Sequence, residues 1–454
     1  MNELFDLPLP ILGTMIIVVL LGLCVYVMGL NKKWGILFPY ALMLLFSSMA
    51  LPIDWNDRVK PTVWLPIQQQ RSMLFLATGI SACLVVLVQF NQLKGKSQSA
   101  IAWTILIANF YAAMMRFLHE GPVSGLESVF FASVTLIPLL LVPAIVIREL
   151  DDFKLILRAI VLSNVVWVGM VLVQIAVNPT FITMGNSFRF VGLLANPQHA
   201  GVLLPHICLI LIWLILNDSG KLRIFYLLLV GINGVFLLWT GSRTGMGMLV
   251  IGLCAILYSK AGRAIFLLPI AMILAYIGLK FMTGVIGNDI GLERLTSTDN
   301  TRDESWRTLI QHGMENPMVG VGTEGTEKSE NSWLYGFASY GAGMLAILVF
   351  LTLIAFTIGL KWFRARFSLD PYYRPLLDLC IGGVAMFFAG AVLEGYIVSR
   401  VSASLCLIPI YCGAGAIFCR VALRGHVEMY DPDDLDPVDW DAYGDELQPG
   451  TTPS

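Results

Sequence analysis

The sequence predicts an all-α polytopic membrane protein of about 12–13 transmembrane helices with one long extracytoplasmic loop. Three observations carry that expectation: a shortage of charge, a series of long apolar runs, and an alternation of basic residues between the loops. The chain has 454 residues, 57% of them hydrophobic and 13% charged, with a net charge of −2 and a mean hydropathy of +0.76. Soluble domains average roughly 25% charged residues, so there is too little charge here to cover a water-facing surface. The same figures exclude a disordered chain, a basic nucleic-acid binder and a disulfide-stapled secreted domain.

A helix crossing the hydrocarbon core needs about 20 mostly apolar residues. In chain order such runs fall near 10–30, 34–52, 72–90, 100–118, 129–148, 155–177 and 192–216. They continue near 224–240, 244–260, 264–283, 332–360, 375–393 and 401–420. The spans on either side of Gly241-Ser242-Arg243-Thr244-Gly245 are short. Residues 1–6 lack the positive charge of a cleavable signal peptide, so the first span is expected to stay.

Loops after the odd-numbered spans hold 17 of the 29 basic residues, among them Lys32, Lys33, Lys154, Arg158, Arg364 and Arg424. Loops after the even-numbered spans hold seven: Arg58, Lys60, Arg71, Arg116, Arg189, Arg243 and Arg400. The positive-inside bias therefore puts the first set in the cytoplasm and the second outside. Residues 1–427 read as one membrane domain, and 284–331 as an outer loop too long to be a simple connection. Residues 428–454, rich in Asp and free of Lys and Arg, read as a disordered cytoplasmic tail.

The eight cysteines all fall in candidate spans without a CxxC pair, and the five histidines show no metal-ligand spacing. No protein metal site, cofactor or nucleic-acid partner is expected. The glycine-rich stretch 320–325 follows no strand, so it reads as a turn and not as a nucleotide loop.

What remains is polar and gathers at the outer surface. Arg189 precedes the seventh span; Arg243 lies between the eighth and ninth. The long loop adds Arg302, Trp306, Arg307, Glu330 and Asn331, while Glu394 and Arg400 approach from the last two spans. Charge at membrane depth is costly and faces a cavity or a partner. Taken singly, each arginine could snorkel to the interface or pair with Glu394 or a lipid headgroup. Arg189 and Arg243 together, each close to glycine, point to a ligand site, because a guanidinium fork fits phosphate oxygens. Two arginines at the outer leaflet suit a lipid-linked diphosphate. Trp306 and Trp333 could offer flat faces to sugar rings, or anchor the chain at the interface.

Four elements between 185 and 345 resemble the O-antigen ligase and O-antigen polymerase superfamily. They are Arg189-Phe190-Val191-Gly192 with Asn196-Pro197-Gln198; the turn Ser242–Gly245; Arg302 and Trp306 with Asn316-Pro317 and Gly320-Val321-Gly322; and Glu330–Leu334 leading to Tyr340-Gly341. The resemblance implies an inverting membrane glycosyltransferase of the bacterial inner membrane, working on the periplasmic face without metal or nucleotide. The donor would be a glycan on undecaprenyl pyrophosphate, and the acceptor a saccharide or a lipid-linked glycan, as in lipopolysaccharide or exopolysaccharide synthesis. Arginines matching Arg189 and Arg243 hold the pyrophosphate in that family, and a loop histidine before the residue matching Asn331 is thought to be the base in the ligases. Glu330 stands in that histidine's place, and a carboxylate can also accept a proton. Arg302, Arg307, Trp306 and Asn331 would then serve the substrate. A repeat-unit polymerase fits the same donor half. From another class, a transporter or flippase for an anionic lipid-linked glycan would line its path with the same arginines.

Overall fold

A computed structural model describes residues 31–51, 59–93, 99–184, 189–218, 220–262, 302–326, 330–398 and 402–424, with a few isolated positions between 18 and 27. The expected spans 10–30 and 264–283, residues 284–301 of the long loop, Arg400 and the acidic tail lie outside the described residues.

The described chain is mostly helical, with one two-stranded pairing. Its helices are α1 (Lys32–Ser47), α2 (Leu65–Gln69), α3 (Arg71–Val88), α4 (Ala100–His119), α5 (Pro122–Val146) and α6 (Asp152–Val177). After strands β1 (Thr183–Met184) and β2 (Arg189–Phe190) come α7 (Pro197–Asn217), α8 (Leu222–Thr240), α9 (Arg243–Ala261) and α10 (Asp303–Glu315). The last three are α11 (Ser332–Ala365), α12 (Arg374–Ala391) and α13 (Ala403–Arg424). Among the described residues nine helices are long and apolar enough to cross a membrane, and a shorter apolar helix covers Arg243–Tyr258. The protein is a multi-pass helical membrane protein.

Helix starts follow local chemistry. The α7 run begins at Pro197, not at 192, because the Asn196 side chain accepts from the His199 N–H at 2.9 Å and proline takes the first position. Pro122 likewise starts α5 seven residues before the expected 129. Small residues then let the helices close up, as is usual between helices in lipid. A Cβ on Gly245 would stand 2.2 Å from the Gly201 carbonyl oxygen, and one on Gly201 would meet Ser242 at 2.4 Å, so α7 and α9 start side by side. Polar contacts add to this: Asn164 of α6 and Asn233 of α8, both buried, exchange amide hydrogen bonds at 3.1 and 3.0 Å.

The two ends of the bundle differ in kind. At the end that the basic-residue bias assigns to the cytoplasm, charges pair with one another: Lys33 with Asp152 at 2.5 Å, Lys154 with Asp151 at 2.8 Å, and Arg158 with Asp218 at 3.3 Å. Arg366 meets Asp378 there at 3.2 Å, both buried, with the guanidinium 4.8 Å from the Tyr258 ring. The opposite end gathers the segments that carry Arg189, Arg243, Arg302 and Glu330.

One span is broken. The run 332–360 reads as continuous, yet α11 has non-helical geometry at Gly341, with φ 78° and ψ −173°. A break frees backbone groups that hydrocarbon cannot satisfy. Here residues 317–322 satisfy them. Val321 N–H donates to the Ala338 carbonyl at 2.8 Å, Gly322 N–H to Ser339 at 3.1 Å, and Ala342 N–H turns to Pro317 at 2.7 Å. The glycine-rich stretch expected to be a simple turn is therefore the seat of a helix break. Within the outer loop, residues 303–315 form α10, and 316–326 dock on the end of α4 through His119, which meets the Val319 carbonyl at 2.8 Å.

Candidate active site

Arg189 is fixed by backbone before side chain. In the β1–β2 pairing Met184 faces Arg189, and Val191 N–H donates to the Ile182 carbonyl at 2.7 Å. Phe190 then enters an aromatic cluster, stacked on Phe236 at 4.5 Å and edge-on to Trp167 at 6.3 Å. Gly192 follows at φ 62°, where a Cβ would stand 2.9 Å from both the Phe190 and Trp167 rings. Only glycine combines that turn with that packing. So held, Arg189 is buried and its Nε donates to the Thr240 carbonyl at 2.7 Å.

Thr240 ends α8 and opens the turn that bears Arg243. Its hydroxyl accepts from Ser242 N–H at 3.1 Å, Gly241 takes a left-handed φ of 59°, and the Ser242 hydroxyl caps α9 by accepting from Gly245 N–H at 3.1 Å. Arg243, first residue of α9, is exposed. Arg189 is thus bonded to the turn that presents Arg243, next to the paired starts of α7 and α9. Helix starts carry partial positive charge, so the potential at this corner favours negative charge.

Arg302, just before α10, ties the loop to the same corner. Its Nη2 lies 2.7 Å from Glu394 Oε1 and 3.4 Å from the Thr244 hydroxyl, and its Nη1 donates to the Leu393 carbonyl. Thr244 in turn donates to Glu394 at 3.3 Å. Burial pushes the Glu394 carboxyl above the ordinary carboxylate range; Arg302 pulls it back, while the charge on Glu330 pushes it up again. Ser332 locks the start of α11 here, donating to the Glu394 carbonyl at 2.8 Å and accepting from Tyr396 N–H at 3.1 Å.

Glu330 and Asn331 sit immediately before that serine. Asn331 has φ 61° and caps α11, accepting from Trp333 N–H at 3.0 Å and Leu334 N–H at 3.1 Å. Glu330 is half-buried, with one carboxylate oxygen, Oε2, buried and without a hydrogen-bond partner among the described residues. Trp306 of α10 is half-buried with its indole N–H likewise unpartnered, and Arg307 beside it is exposed. Trp333 reaches across the break in α11, its indole N–H donating to the Thr352 hydroxyl at 3.1 Å.

The structure therefore links Arg189 to the Arg243 turn and links Arg302, Glu394 and the Glu330–Ser332 segment to Thr244, one residue further on. Thr244 and Ser332 escaped the sequence reading because a hydroxyl's role depends on a partner 62 or more residues away. Among the described residues no cluster of His, Cys, Asp and Glu is arranged to hold a metal ion. No protein-family model matches the chain, and no curated protein matches it.

Proposed function

We propose that this protein is a membrane glycosyltransferase of the bacterial inner membrane that moves a glycan from undecaprenyl pyrophosphate to an acceptor hydroxyl on the periplasmic side. One observation carries the reading. Arg189, buried, is hydrogen-bonded to the turn that presents Arg243 at the side-by-side starts of α7 and α9. Fixed cations and helix starts at one corner of the helical bundle suit a diphosphate whose hydrocarbon tail stays in the bilayer.

In this mechanism the acceptor oxygen attacks the anomeric carbon as the bond to the pyrophosphate oxygen breaks. The electron pair goes to the leaving phosphate, where Arg189 and Arg243 stabilise the growing charge. Glu330 takes the acceptor's proton. Of the two carboxylates, Glu394 is engaged by Arg302, which leaves Glu330, with its unpartnered oxygen, as the base. Arg302 holds the loop to this corner through Glu394, Arg307 serves the phosphates or the sugar, Trp306 offers a ring face, and Asn331 holds the base's segment by capping α11.

The test is transfer by reconstituted protein from a lipid-linked oligosaccharide to candidate acceptors. Arg189→Ala and Arg243→Ala each lower the rate by about 10²–10³-fold while the protein still inserts. Substantial turnover in both variants overturns the diphosphate assignment. Full activity in Glu330→Gln assigns the proton to another group. Laddered products identify a polymerase and single transfer a ligase.

A further inference from the structure

The loop helix α10 has two exposed edges of different chemistry. Ser305, Leu309 and Gly313 form its buried face, and Gly313 is pressed on α11, where a Cβ would stand 2.3 Å from the Phe337 ring. At 100° per residue, Ile310 and Met314 lie along one border of that face, while the exposed Glu304, Gln311 and Glu315 lie on the far side. Ile310 is 47% exposed and Met314 68%. Directly after the helix, Met318 is 77% exposed and Val319 41%, so the apolar edge runs on into the stretch that seats the break in α11.

The depth of this edge follows from the spans it touches. The Val319 carbonyl accepts from His119, the last residue of α4, whose 20 residues rise about 30 Å from the opposite end of the bundle. The Met318 carbonyl lies against Gly341, where a Cβ would stand 2.4 Å from its oxygen. From Gly341, α11 runs about 35 Å to Arg364 at that opposite end. The hydrocarbon core is about 30 Å thick, so both spans put Met318 and Val319 at its edge. Large apolar side chains exposed at that depth meet lipid, while Glu304 and Glu315 on the far edge of α10 meet water.

We infer that α10 and the turn after it are seated on the membrane, with Ile310, Met314, Met318 and Val319 in the boundary between headgroups and acyl chains. The seat holds the loop that bears Arg302 against the bilayer. It needs no transferase activity, so it stands or falls apart from the function proposed above.

Photocrosslinking of the full chain in nanodiscs of phosphatidylglycerol and phosphatidylethanolamine tests it. The photoreactive residue p-benzoylphenylalanine replaces Met314, Met318 or, on the polar edge, Gln311, one position at a time. Mass spectrometry finds lipid adducts at 314 and 318 about tenfold more often than at 311. The same replacement at Ile310 serves where the variant at 318 does not fold. Equal lipid labelling at all three positions, or lipid adducts at none, overturns the assignment. Crosslinks from 314 and 318 to a second copy of the chain in place of lipid overturn it too, and make the edge a protein interface.

Discussion

Replacing Arg302 with methionine strands the Glu394 carboxylate beneath α10. The Arg302 side chain is 18% exposed and that of Glu394 9%, and their closest atoms lie 2.7 Å apart. Removing one partner of a fully buried pair costs about 3–5 kcal/mol, and the exposed part of Arg302 lowers the expectation to about 2–3 kcal/mol. The sign of the pH dependence follows from what remains around Glu394. Burial and the charge on Glu330 raise its pKa, and without Arg302 only the Thr244 hydroxyl opposes them. A carboxyl raised in the folded state contributes stability below its unfolded pKa and loses it as pH rises through the folded value. The Arg302→Met deficit is therefore smallest near the ordinary carboxylate range, about pH 4, and grows toward neutrality. Thermal unfolding in detergent across a pH series reads this directly, alongside Glu394→Gln and the double variant. The double variant recovers most of the loss at neutral pH, because no charge is left stranded. A deficit that does not change with pH, or a double variant at the sum of the singles, refutes the reasoning.

Two other predictions concern the packing that holds the corner. Leucine at either Asn164 or Asn233 costs about 1 kcal/mol in denaturant unfolding, and the double leucine variant less than the two together, since neither amide is then left alone in lipid; strict additivity contradicts the pairing. Gly245→Ala places a Cβ 2.2 Å from the Gly201 carbonyl oxygen and forces α7 and α9 apart. It costs about 1–3 kcal/mol and lowers donor binding along with stability, measured as KM for the lipid-linked glycan; wild-type KM and stability would show that the two helices give way freely.

The membrane architecture was legible because a long apolar run has one stable solution in lipid. The expected run at 72–90 is α3 within two residues at each end. Helix ends set by capping were less legible: Ser124, Gly125, Glu127 and Ser128 in the first turns of α5 hid Pro122 as its first position. The break at Gly341 was not legible, since Gly and Ser are ordinary in membrane helices and its cause lies in residues 317–322. In the site, the sequence could bring Arg189 and Arg243 only to the same surface. That Arg189 bonds to Thr240, 51 residues on, is a fact of tertiary packing with no local signature. Glu394 shows the same limit, because its ion pair with Arg302 spans 92 positions.

The break in α11 also dictates an order of biogenesis. Two carbonyls and one amide at the kink find partners in residues 317–322. That stretch precedes α11 in the chain, so it leaves the ribosome first and is at hand when the span enters the membrane. Until it is seated, residues 332–340 cannot rest in hydrocarbon without open backbone groups. A chain in which the stretch fails to dock would hold an incompletely inserted span, the kind of species that membrane quality control removes.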